Sequence, residues 1–555
     1  YIRVGGNAYI KQLHPGNHDD NSYTTTLAPI NVCGGEIEEC YLTGRQPSAT
    51  TTGNALFWCN GGYIHEFLGA YMEPVNGSVT AKIDHGLIDN FYGGGANANK
   101  PVTGNIHITV NNSYVKFFCG GPKVGDMNND TEITINADGT TFGEFYGGGY
   151  GGTALTRVRA AQNANVNFGN DLDFPLNFSN YTDVRLKKNG DVNEFGSGYS
   201  FEYFLYSGGS GIGVARFYVD YASLSLATVQ KVTSTLTNCT ILQDFYGGGC
   251  QGRVAGDASS TLTNCKVNGS VFGGGYTATA TPCLVYPTTK PTYSKYLKAT
   301  GSFTSFGAVD PETYYWVQVS SITTPANESK KEIYTTVDMS VMGEVKGKTT
   351  VVVDGASQVL GGVYGGGNMS KVVGTTNVTI ETTDTYRINE VYGGANRADV
   401  GDNTTVNILS GQIGSVFGAN NQSGTKSKDI TINVMGGTSN YVYGAGNLAA
   451  YKGSPLVNIA GGTVKDAVFG GGLGASAVVT GNPRIKMTGG IVGYTEAIDN
   501  KEVVRGGDVF GGGNEAAVQG NTSVAITGGE VKHNVYGGGN KADVSGATSV
   551  AIGGE

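Results

Sequence analysis

Charge is scarce in this chain, and its scarcity removes several functions at once. Only 15% of the 555 residues are Asp, Glu, Lys or Arg, and the net charge is −9. Spread over such a length, that balance leaves no basic stripe, so neither nucleic acid nor an acidic membrane surface is expected as a partner. No apolar run approaches the roughly 20 residues of a membrane span, so no membrane insertion is expected in this segment, and no signal-peptide pattern precedes the first expected strand. With 90 Gly but only 14 Pro, the chain is neither collagen-like nor composed like a disordered tail.

Reactive motifs are equally thin. There is no Cys-x-x-Cys, and the six His are scattered, which argues against zinc. No Gly-x-Ser-x-Gly occurs. The stretch Gly343-Glu344-Val345-Lys346-Gly347-Lys348-Thr349 imitates a phosphate loop but has one residue too few between its glycines, and a strand follows it instead of a helix. Asp126-Met127-Asn128-Asn129-Asp130 alternates oxygen ligands as a calcium loop does, yet lacks the Gly after the third ligand. A solvated turn is the better expectation there. No cofactor, metal ligand or catalytic residue is implied, and the chain is expected not to be an enzyme.

What is present is a repeat. Val535-Tyr536-Gly537-Gly538-Gly539-Asn540 has near-copies at Phe91, Phe145, Phe245, Val271, Val363, Val391 and Val509, and looser ones at Tyr41, Phe67, Phe117, Leu205, Val416, Val442 and Val468. Val416 to Val442, Val442 to Val468 and Val509 to Val535 are each 26 residues, as are Tyr41 to Phe67 and Phe91 to Phe117. One unit has too few apolar side chains to fold alone, so stacking is implied. Val524-Ala525-Ile526, the break at Gly528-Gly529, Val531, and Val535-Tyr536 mark three short strands per coil. Helical and leucine-rich repeats lack the required frames, and propeller blades are longer. The expected fold is therefore all-β, a parallel and right-handed β-helix solenoid. About fifteen coils at about 4.8 Å each would make a rod of about 70 Å.

In such a stack every column is a physical ladder. Asn368, Asn396, Asn421, Asn447, Asn514 and Asn540 share one turn position, where stacked amides can bond one another. The column departs to Ala96, Tyr150, Cys250, Tyr276 and Leu473, which speaks against a ligand site there. Tyr92, Phe118, Tyr146, Tyr206, Tyr246, Phe272, Tyr364, Tyr392 and Phe417 form an aromatic column that is either a sugar-binding face or core; free exchange of Phe for Tyr favours core. The glycines are expected to supply positive φ in a tight corner and close approach between coils. Cys33 with Cys59, and Cys239 with Cys265, lie 26 residues apart, as buried thiols in a ladder or as inter-coil disulfides. Outward strand positions such as Asn31, Asn407, Asn433, Asn458, Lys486 and Ala525 show no carboxylate column, which argues against the polysaccharide lyases and glycosidases that β-helices also host. The same positions fail to supply the flat Thr array of an ice-binding surface.

The Tyr/Phe-Gly-Gly-Gly-Asn unit, followed by Ala-x-Val-x-Gly and a Thr-x-Val-x-Ile strand, is cleanest from Val509 to Glu555. It resembles repeat regions of large Gly-rich adhesin-like surface proteins of gut bacteria. The resemblance implies a secreted or cell-surface structural or adhesive role, but no ligand and no functional residue. Residues 1–29 are expected to be a lead-in segment or a preceding coil. Coils should occupy 30–150, 229–276 and 348–555, with insertions at 151–228 around one irregular coil, at 277–347, and at 494–507. The chain opens on Tyr1 and closes where the frame calls for another unit, so an excerpt of a longer polypeptide is expected. Tyr314, Tyr315 and Trp316, in the long insertion, are the expected contact surface for a glycan or a host or bacterial surface protein. Their alternative is the core of a small β-subdomain. The rival function is a carbohydrate-active or phage-tailspike-like β-helix.

Overall fold

The computed structural model describes residues 1–15, 24–44, 50–71, 73–96, 102–127, 130–154, 158–161, 183–192, 198–207, 210–220, 223–277, 297–299, 322–323, 341–426 and 428–553. The chain divides into two compact units, one of Tyr1–Gly151, Leu226–Ala280 and Val341–Glu555, the other of Gly152–Ser225 and Thr281–Ser340.

The first unit is a parallel β-helix. A 34-stranded sheet runs through it, and successive coils pair in parallel register. Alternation in the sequence sets the geometry. In Thr376–Thr382 the residues Val378 and Ile380 point inward and are fully buried, while Asn377 and Thr379 face out. Val378 pairs with Val406, and Val406 with Ile432, so like sits on like through the core. Each fully buried Val or Ile contributes about 1.5–3 kcal/mol. The coil length varies between 24 residues, from Phe67 to Phe91, and 28, from Val363 to Val391. A further inward ladder of single bridges runs Val345, Val372, Val400, Lys426.

Two kinds of glycine hold the turns. Between the first and second strands, Gly35, Gly437, Gly462, Gly490 and Gly529 have φ of +69° to +87°, where L side chains are strained. In other coils the same corner is taken by Asn112, Asn238 or Asn264, residues that tolerate this region. The Gly-Gly-Gly runs behave differently from expectation, because none of their residues from Gly365 to Gly367 or Gly511 to Gly513 has positive φ. Crowding is the reason for them: a Cβ on Gly274 would lie 2.7 Å from Gly367 N and 2.8 Å from its Cα. Buried Thr349 and Thr376 close the same corner by donating to the Gly365 and Gly393 carbonyls at 2.6 Å.

Register corrects several sequence expectations. Cys40 pairs with Phe67 and Tyr41 with Leu68, while Phe91 pairs with Phe118 and Tyr92 with Cys119. The period there is 27, so Phe118 belongs to the inner column and not to the Tyr92 column. Cys59 accordingly pairs with Val32 and not with Cys33. Cys239 and Cys265 do share a row, since Thr240 pairs with Lys266, but both are free thiols. The unit Leu205-Tyr206 is not a coil. Phe145 and Tyr146 pair directly with Phe245 and Tyr246, and Leu205 lies in an antiparallel strand, Gly198–Ser207. Residues 2–13 already form coil strands, with Ile2–Val4 paired to Ile30–Val32.

The second unit contains a six-stranded antiparallel sheet drawn from both long insertions, with Val184 opposite Ala299. The short insertion is a hairpin of Tyr494–Ile498 and Lys501–Arg505, turned by Asp499 and Asn500, both at positive φ as a type I′ turn requires. Among the described residues no helix is long and apolar enough to cross a membrane.

Candidate functional site

The third strand of most coils carries an inward residue and then an outward ring, with Leu68 and Cys119 in the ring's place in two of them. Outward does not mean exposed here. Tyr364, Tyr392, Phe417, Tyr443 and Phe469 are buried in a column of their own. Successive centroids from Tyr364 to Phe417 are 4.7 Å apart with interplanar angles of 1° and 7°, and the stack runs from Tyr146 to Tyr536. Every internal ring therefore has both faces against neighbouring rings, and none is free to lie on a pyranose. The sugar-platform alternative for this column is excluded by that geometry, and core is its role. Each ring pair adds about 0.5–1.5 kcal/mol.

The turn after the glycines closes over this stack. Asn396 donates to Asn368 Oδ1 at 2.8 Å, Asn421 to Asn396 at 3.0 Å and Asn447 to Asn421 at 2.9 Å. The ladder also caps phenols: Asn368 donates to the Tyr246 hydroxyl at 3.2 Å and Asn421 to that of Tyr364 at 3.1 Å, in each case two coils back. Burial pushes the Tyr364 phenol up to about 12. Tyr392 is driven further in the same direction by burial, and Asn447 partly offsets this.

Towards the N-terminus the same turn position holds Ala96, Lys123, Tyr150, Cys250 and Tyr276, as the backbone bonds from each to the preceding turn show. The ladder is absent there and a cleft of about 500 Å³ opens. Its lining includes Phe117, Glu144, Tyr150, Asp244, Cys250, Gln251 and Tyr276, with Tyr146 and Tyr246 from the stack. Tyr150 stands edge-on to Tyr92 and Phe117, at 82° and 77°, and Tyr276 is tilted 57° from Tyr246. Burial of Cys250 pushes its thiol up to about 12, so it is no ready nucleophile.

A second feature departs from expectation. The outward position two residues before the ring forms a row of Glu39, Glu66, Asn90, Phe117 and Glu144, followed by Asp244 in the same frame. Carboxylates thus do line one face, on the third strand and not on the first, where Asn407, Asn433, Asn458, Lys486 and Ala525 share their own row. Several of these carboxylates receive the neighbouring phenol. Tyr146 donates to Glu144 at 3.3 Å, Tyr246 to Asp244 at 3.1 Å and Tyr392 to Glu390 at 2.9 Å. A smaller hollow of about 390 Å³ lies along the row at Glu38, Glu39, His65, Glu66 and Asn90. His65 bridges Glu36 at 2.9 Å and Asp89 at 3.0 Å, and the Glu36 bond, more than any other contact, raises its pKa. Lys123 pairs with Glu66 and lies 5.0 Å over the Tyr92 ring.

Other sequence candidates resolve as structure or fall elsewhere. Glu344 of the phosphate-loop lookalike is buried and held by Arg253 and Lys371, both at 2.8 Å, and Thr349 opens the strand Thr349–Gly355. Asp126 accepts from Thr228 N at 2.8 Å as a turn residue, while Asn128 and Asn129 lie outside the described residues. Tyr314, Tyr315 and Trp316 lie outside them too. Among the described residues no three His, Cys, Asp or Glu are grouped to hold a metal. The cleft residues were missed because the departures at Tyr150, Cys250 and Tyr276 speak, in sequence, against a ligand site at that turn. The signal was available: three departures fall next to one another in the stack, and Glu144 and Asp244 sit two residues before successive rings. Comparison with protein-family models, curated proteins and solved structures gave no match.

Proposed function

We propose that the chain is an extracellular structural and adhesive repeat protein, in which stacked coils act as a stalk and an irregular stretch makes contact with a glycan or with a surface protein of a host or bacterial cell. The observation that carries this reading is the break in the turn column. Where Asn closes over the rings, from Asn368 to Asn447, the surface is occupied by its own hydrogen bonds; where Tyr150, Cys250 and Tyr276 replace it, a cleft lined by carboxylates and aromatic rings opens. Localisation at the cell surface and kinship with adhesin-like proteins rest on the resemblance of the Tyr-Gly-Gly-Gly-Asn unit.

One observation favours a second reading, a carbohydrate-active enzyme. Glu144 and Asp244 occupy one row on paired strands, about 4.8 Å apart along the stack, and paired carboxylates are what glycoside hydrolysis employs. A glycan array probed with the full chain, followed by an assay for new reducing ends, separates the two. Retention without product is the expected result. Release of product from a bound glycan would replace the adhesive reading with the enzymatic one.

A further inference from the structure

The cleft has a definite chemical preference. Its lining carries the carboxylates of Glu144 and Asp244 and the amides of Gln243, Gln251 and Asn368, and among the described residues it includes no Lys, Arg or His. An anion would meet two uncompensated negative groups. A cation would meet complementary charge and, from Tyr150 and Tyr276, rings that are turned out of the face-to-face stack. Carboxylate with aromatic is the combination that attracts an ammonium group.

The chain itself contains an occupied version of this arrangement. Lys123 stands on the same turn column, immediately before Tyr150 and Cys250, and its ammonium lies 5.0 Å over the Tyr92 ring while pairing with Glu66. Glu66 and Glu144 belong to one row, and Tyr92 and Tyr146 to one column. Glu144 stands two coils before Tyr276 as Glu66 stands two coils before Lys123, with Tyr246 in the place of Tyr92; Tyr276 carries no ammonium, so the equivalent place beside Glu144 is left for one from outside.

We propose that this cleft binds a glycan through a free amino sugar, with the sugar ammonium against Glu144 and Asp244 and the ring hydroxyls on the amides of Gln243 and Gln251. A volume of about 500 Å³ is within the range of small-ligand clefts. A lysine side chain from a protein would satisfy the carboxylates but leave those amides facing an apolar stem, which costs affinity. The proposal rests on the adhesive reading for its source of glycan.

The test is calorimetric titration of the full chain, at mildly acidic pH and physiological salt, with a glucosamine tetramer, its N-acetylated counterpart and tetralysine. The expected result is binding of the glucosamine tetramer, about tenfold or more weaker binding of the acetylated form, and a similar loss in the Glu144→Gln/Asp244→Asn variant. Cys250→Asn, which restores the residue found elsewhere in the column, should abolish binding while keeping the fold. A charge-matched control, Glu381→Gln/Glu502→Gln, should bind as the parent does. The proposal is overturned if the acetylated tetramer binds as well, if the double amide variant binds unchanged, or if tetralysine binds as tightly with the same dependence on Glu144 and Asp244. If no glucosamine binds but the chain is retained on other glycans of the array, the amino-sugar assignment fails and the adhesive reading stands.

Discussion

The coils before Tyr276 and those after Val363 solve one packing problem in two ways. In the earlier coils the large rings are inside: Phe67, Phe91, Phe118, Phe145 and Phe245 stack at 4.7–5.1 Å in the core. Cys119 and Leu68 interrupt the outer column there. In the later coils the inner position is Val363, Val391, Val416 and Val442, and the third strand keeps its rings in the outer column alone, under a ladder of Asn. The outer rings of the earlier coils, Tyr92, Tyr146 and Tyr246, lie under a turn position that varies, with Lys123, Tyr150, Cys250 and Tyr276, and a cleft opens there. Over the outer rings of the later coils the Asn ladder closes that opening.

This contrast can be broken experimentally, beginning where the effect is largest. Gly366→Val should be severe, because a Cβ there would lie 2.7 Å from Ala395 Cβ and 2.9 Å from its Cα. A loss of about 3 kcal/mol or more in chemical denaturation is expected, whereas Gly538→Val, with nothing within 4 Å of its Cβ, should cost far less.

Next in size is Lys426, the one cation in the inward bridge ladder between Val400 and the coil of Tyr451. It is 2% exposed, and burial lowers its pKa from 10.5 to about 8, with its ammonium held by the Asp402 and Lys428 carbonyls. Between those two values the unfolded chain binds the proton more tightly than the folded one, so folding stability should rise with pH from about 8 to about 10.5. Lys426→Met should abolish that slope and raise stability at neutral pH by about 2–3 kcal/mol. Denaturation midpoints measured across this pH range would reveal a flat parent profile if the side chain is in truth solvated.

Smaller effects sharpen the comparison itself. Asn421→Ala removes a donor to both Asn396 and the Tyr364 hydroxyl and an acceptor from Asn447, and should cost about 1–3 kcal/mol by thermal melting. Tyr276→Asn extends the ladder by one rung and should change stability by less than about 1 kcal/mol, while narrowing the cleft. Equal costs for Asn421→Ala and Tyr276→Asn would erase the distinction between a sealed and an open region.

Much of the fold was legible in the sequence because a solenoid writes its geometry once per coil. The identity of Val416, Val442 and Val468 at a fixed interval already implied the vertical file, and Tyr364, Tyr392 and Phe417 lie in it. What escaped has physical reasons. Phe117 and Phe118 are adjacent rings, and only the pairing of Phe118 with Phe91 tells which faces inward. Leu205-Tyr206-Ser207-Gly208-Gly209 imitates the repeat, but neighbouring context, not local sequence, decides whether it stacks. A glycine kept for crowding looks the same in sequence as one kept for positive φ. The candidate site was least legible, since Glu144 and Asp244 share their row with Asn90, Phe117 and Ser270, and a mixed row shows no period.

Units one repeat apart lie directly on one another. Spin labels at outward positions of a single row test this stacking most directly, because Thr350, Asn377, Thr405, Thr431 and, further along, Arg484 and Ser523 occupy successive strands. With one label on Thr350→Cys and the second on Thr431→Cys, Arg484→Cys or Ser523→Cys, the distance should grow by about 4.8 Å for every coil between them. Distances that fail to grow with coil number, or that group by sequence separation instead, would contradict the stacked register and with it the sealed and open regions built on it.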